Sequence, residues 1–65
     1  MKLQIKDSGA WRNVLSFTPD RMADVEVAGV ALLQAAGCDK TTMRICEGDQ
    51  VLARCETSDY MWKFV

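Results

Sequence analysis

The chain contains no histidine, one proline and no cysteine pair spaced C-x-x-C. Without histidine it lacks the side chain that most often acts as a general base near neutrality and as a neutral metal ligand. Its three cysteines, Cys38, Cys46 and Cys55, therefore have no base to activate them and do not make a tetrahedral metal set. No glycine-rich phosphate loop follows a strand pattern. No apolar run approaches the ~18 residues of a membrane span. The start, MKLQIKDSG, has neither a long apolar stretch nor a small-residue cleavage site. Eight basic and nine acidic side chains leave a net charge of -1, so any electrostatic role must come from how charges are distributed. The expectation is a cytoplasmic non-enzyme with no cofactor, no metal and no membrane attachment, its thiols reduced.

What is present is a folded composition, 49% hydrophobic and 26% charged, on 65 residues. That length makes a single domain, 1–65, which buries only about 60% of the surface its unfolded chain exposes. Lys2–Lys6 alternates, with Leu3 and Ile5 on one side, and predicts a half-buried strand. Asp7-Ser8-Gly9 reads as a three-residue hairpin loop that sets Ile5 opposite Trp11. Trp11–Phe17 then places Trp11, Leu15 and Phe17 inward and Arg12, Val14 and Ser16 outward. Thr18-Pro19-Asp20 starts a helix, with Thr18 as its cap, that runs to about Ala36 and stops at Gly37. Met22, Val25, Gly29, Leu32, Leu33 and Ala36 form its predicted inner stripe.

Two further strands follow around the turn Glu47-Gly48-Asp49, with Ile45 expected opposite Val51 and Met43 opposite Ala53. The turn Thr57-Ser58-Asp59 leads into a short last strand that uses Trp62 and Phe64 inward. The predicted class is α+β, a single helix packed on one face of a four- to five-stranded antiparallel sheet in the order ββαβββ.

The segment TTMRICEGDQVLARC holds two of the thiols. Cys46 faces outward and Cys55 inward, on the order of 13 Å apart at ~3.3 Å per residue, too far for a disulfide. With Cys38 they read as small apolar residues. The nine carboxylates lie at turns, strand ends or the helix start, where turn chemistry and the helix dipole account for them.

Two surfaces stand out. Lys2, Lys6, Arg12, Arg44, Arg54 and Lys63 all fall at outward parity on predicted strands, interleaved with Val14, Leu52 and Met61. Six of the eight basic residues thus share the sheet face opposite the helix. Such a face suits an acidic partner, although charges on a wet sheet also serve solubility and discourage edge pairing. Aromatic side chains at inward parity count against a sheet that stacks bases. The helix, in contrast, has no charge between Glu26 and Asp39. Its outer arc of Ala23, Val27, Val30, Ala31 and Gln34 suits a partner contact or a homodimer through Val27, Val30 and Ala31, or is simply tolerated.

The run of helix, Thr41-Thr42-Met43-Arg44-Ile45, tight turn, Val51-Leu52-Ala53 and late Trp62 resembles small phage-encoded type I anti-CRISPR proteins. It is similar in particular to an inhibitor with one helix on a five-stranded antiparallel sheet. The resemblance covers the last 25 or so residues and the element order, and of the basic residues only Arg44 lies in its motif. It implies a stoichiometric binder, acting in the host bacterial cytoplasm, that occupies a guide-RNA surveillance complex and excludes target DNA. The expected partner is therefore a host protein or ribonucleoprotein. The alternatives from the residues themselves are a small nucleic-acid-binding module using the basic face and a structural homodimeric phage protein.

Overall fold

A computed structural model describes residues 1–7, 9–37 and 41–65 of the chain. The elements run β1 (Lys2–Asp7), β2 (Ala10–Ser16), a 3-10 turn (Pro19–Arg21), α1 (Met22–Ala36), β3 (Thr42–Glu47), β4 (Gln50–Glu56) and β5 (Trp62–Phe64). The strands form one five-stranded antiparallel sheet in the order β2-β1-β3-β4-β5. This is the expected α+β class, with the chain's first and third strands joined at the centre.

Directly opposed residues in antiparallel strands point to the same side, so the pairing assigns both faces. One row facing the helix reads Leu15, Leu3, Ile45, Ala53, Phe64 from β2 to β5. The next reads Arg12, Ile5, Met43, Cys55, Trp62. The middle of both rows is the core: Leu3 is 1% exposed, and Met43, Ile45, Ala53 and Cys55 are fully buried beneath Val25 and Leu33 of the helix. The outer ends, Leu15 and Phe64, lie beyond the cover of one helix and stay exposed.

The helix ends where predicted, with Gly37 at φ 65° and its N–H donating to the Gln34 carbonyl at 3.3 Å. Its start differs. Thr18 makes no side-chain cap, and its carbonyl instead accepts from the Arg21 N–H at 2.9 Å, which winds the first turn as 3-10. The buried helix positions are Val25, Gly29 and Leu33, with Met22 and Val30 packed partly against the core. Leu32 and Ala36, expected inside, are exposed. Trp62 accounts for the rotation. Its Nε1 donates to the Glu26 carbonyl at 2.8 Å, and its ring fills the space a Cβ at Gly29 would need, 2.9 Å from Cζ2. The indole draws the 26–30 flank onto the sheet, which takes Val30 inward.

The β1–β2 and β3–β4 hairpins each contain a register shift, one between Leu3 and Gln4 and the other between Ile45 and Cys46. In β1–β2, Leu3 pairs with Leu15 but Gln4 pairs with Asn13, which leaves Val14 as the extra residue. Past this bulge the predicted pairing fails: Ile5 opposes Arg12, Lys6 opposes Trp11 and Asp7 opposes Ala10. Because side chains alternate with period two, one inserted residue exchanges the faces of everything beyond it. Trp11 therefore moves to the open face and Arg12 to the helix side. Ser8, part of the expected loop, lies outside the described residues, as does Cys38.

In β3–β4, Ile45 pairs with Ala53 and Met43 with Cys55, two residues from the expected register, so these apolar residues keep the predicted face. Leu52 is the extra residue here, and beyond it Val51 opposes Cys46 on the open side instead of lying inward. The turn tightens to Gly48-Asp49 between paired Glu47 and Gln50, and Gly48 takes φ 60°, the sign a type II′ turn needs at its first central residue.

Candidate docking face on the open sheet

The open side of the sheet is crossed by a row that reads Asn13, Gln4, Arg44, Arg54, Lys63. A second row reads Ser16, Lys2, Cys46, Val51. Lys6 and Trp11 oppose each other on the far side of the first. Five of the six predicted basic residues thus share this face: Lys2, Lys6, Arg44, Arg54 and Lys63. Arg12 does not, for the reason given by the Val14 bulge.

The first row puts Arg44 directly opposite Arg54 and Arg54 directly opposite Lys63. Like charges in opposed positions oppose folding by a few tenths to about 1 kcal/mol. The flanking cations are relieved in different ways. Lys63 Nζ pairs with Asp59 Oδ2 at 2.9 Å, a contact that raises the lysine pKa and lowers that of Asp59. The Asp59 carboxylate also accepts from the Met61 N–H at 3.1 Å, which holds the turn ahead of β5.

Arg44 is half-buried, and its Nε donates to Gln4 Oε1 at 2.8 Å while its guanidinium carbon sits 4.0 Å from the Trp11 ring centroid. Gln4 in turn donates from Nε2 to Asn13 Oδ1 at 2.8 Å and accepts from the Cys46 thiol at 3.5 Å. Arg54, between them, is exposed and has no carboxylate partner among the described residues. Glu56 is the nearest acid on its own strand's outer face, at the strand end opposite Thr42.

Sequence reasoning missed Trp11, Gln4 and Asn13. One signal was available: Asn13 falls at inward parity in an uninterrupted strand, a polar residue where the core should be, and the adjacent apolar pair Val14-Leu15 marks where alternation breaks. The helix residues divide similarly. Val27, at 73% exposure, and Ala31 lie on the outer arc, whereas Val30 packs against the core.

The remaining thiols sit on opposite faces, both buried and both free. Burial pushes the Cys55 pKa up, and nearby Asp59 and Glu56 add to the effect, so the thiol form is favoured. Among the described residues no group of three or more His, Cys, Asp or Glu side chains converges, and no helix is long and apolar enough to cross a membrane. No protein-family model matches the chain, and neither a curated protein nor a solved structure matches it.

Proposed function

We propose that the chain is a non-catalytic, phage-encoded binder that docks through the open face of its sheet onto a bacterial CRISPR ribonucleoprotein. The target suggested by its resemblance to small type I inhibitors is a surveillance complex, occupied stoichiometrically so that target DNA is excluded. The observation that carries the docking reading is the Arg44–Arg54–Lys63 row. A sheet that needed only solubility would gain more from alternating signs, because opposed like charges weaken the fold. Holding three cations side by side favours a partner whose own surface is anionic.

The test is binding of the purified protein to a purified type I surveillance complex, with competition against its target DNA. Wild type should saturate at a fixed molar ratio and slow DNA capture, and Arg54→Glu should lose both effects while remaining folded. A variant as effective as wild type would overturn the docking face. A wild type that fails to bind a panel of such complexes would overturn the target.

A further inference from the structure

Arg44 is held far more firmly than a solubilising arginine requires. Long exposed side chains ordinarily keep their rotamer freedom, because fixing one costs conformational entropy. Here Gln4 takes the Nε edge at 2.8 Å and the guanidinium carbon lies over the Trp11 ring, 4.0 Å from its centroid. Gln4 is itself fixed by Asn13 and by the Cys46 thiol. The result is a cationic platform, a guanidinium over an indole and both half-buried, with exposed Arg54, Lys2 and Lys6 around it on the same face. Flat aromatic or guanidinium surfaces ringed by cations suit unpaired bases joined by phosphates. A duplex, whose base faces are already stacked, gains nothing from the platform.

We infer that this face recognises single-stranded nucleic acid, with an unpaired base stacked on the Trp11–Arg44 pair and the neighbouring phosphates held by Arg54, Lys2 and Lys6. The inference rests on the docking reading above and names the chemistry that reading leaves open. Both ends of the Gln4 amide are already engaged, with Asn13, Arg44 and Cys46. The platform therefore reads stacking and charge rather than base edges, and its sequence preference is weak.

The experiment is fluorescence anisotropy with a labelled oligouridylate of about 12 nucleotides, an oligoadenylate and an RNA duplex of equal length, at about 50 and 200 mM salt. Both single strands should bind, the duplex at least ~10-fold more weakly, with affinity falling steeply as salt rises. Arg54→Glu and Trp11→Ala should each weaken binding by about 10-fold or more. Arg12→Glu, an equal charge change on the helix side, should have little effect. Absence of binding at the lower salt, duplex binding as tight as single-strand binding, or equal losses in Arg12→Glu and Arg54→Glu would each overturn the inference. If oligonucleotides do not bind but Arg54→Glu still abolishes capture by a surveillance complex, the docking reading survives and the single-strand inference falls. If Arg54→Glu changes neither, both fall.

Discussion

Each face of the sheet carries one tryptophan, and the two indoles are used in opposite ways. On the helix side Trp62 stands at the end of the row Ile5-Met43-Cys55, seated against Gly29 with its N–H on the Glu26 carbonyl. There the ring fills volume and pins the helix. On the open side Trp11 has no such cover and lies against the Arg44 guanidinium. A cation over an exposed ring contributes only ~0.5–1 kcal/mol, several times less than a buried aromatic side chain. The covered face thus holds the molecule together, whereas the open face spends some stability on opposed like charges. Substitutions on the two faces should therefore differ in kind.

The largest effect belongs to the covered face. Trp62→Ala removes a large inward ring and leaves the helix without its anchor, and Trp→Ala changes of this sort cost about 3–5 kcal/mol. For a 65-residue domain that is enough to abolish cooperative unfolding in a denaturant titration. Trp11→Ala should retain a cooperative transition, so equal losses at the two sites would contradict the assignment of faces. Gly29→Val comes next: its Cβ alone would meet Trp62 at 2.9 Å, and overpacking should cost about 1–3 kcal/mol.

The helix offers a comparison three residues apart. Val30→Glu forces a carboxylate against the core and should lower stability by about 1–3 kcal/mol. Val27→Glu, at a position 73% exposed, should shift it by less than about 0.5 kcal/mol. Thermal melts of the pair locate the inner stripe directly, and equally small shifts at both positions would restore the predicted helix face, which put both on the outer arc.

Arg54→Glu carries a smaller stability effect of unusual sign. It replaces two opposed like-charge pairs, with Arg44 and Lys63, by two of opposite charge, which should raise stability by about 0.2–1 kcal/mol. A higher melting temperature combined with lost binding would set folding against function at one residue. A lower one would mean that Arg54 is a structural cation.

The smallest effect is the pH response of Asp59. The hydrogen bond from Lys63, aided by the Met61 N–H, lowers its pKa from the ordinary 3.8. A carboxylate depressed in the fold contributes stability above its unfolded pKa and loses it as pH falls through the folded value. Asp59→Asn, which keeps an acceptor for Met61, should therefore be slightly less stable than wild type near neutrality and lose that deficit below about pH 3.8. The pair is exposed, so a difference that persists unchanged in acid would assign the effect to the turn.

Local chemistry was the readable part of this molecule. Gly37 needs no partner to stop a helix, since its positive φ is open to glycine in any context. The alternation of Leu3 and Ile5, and of Met43 and Ile45, needs only a core somewhere on one side. Five of the six basic residues could be assigned a face from parity alone. Parity survives a two-residue error, as in β3–β4, but not a single insertion. For that reason Arg12 and Trp11 exchanged sides while Arg44 and Arg54 did not.

From the sequence alone came the element order, the apolar sides of the central strands, the helix stop and the concentration of cations on one sheet face. These depend on φ preferences and on the period-two and 3.6-residue repeats, which are properties of the chain over a few residues. The tertiary structure decided the bulges at Val14 and Leu52, the rotation of the helix onto Trp62 and the meeting of Trp11 with Arg44. Each depends on residues from different elements competing for the same space. Trp62 and the helix flank needed one volume, which Gly29 left free. On the other face, Arg44 reached Trp11 only because β1 lies between their strands and the bulge turned the indole outward.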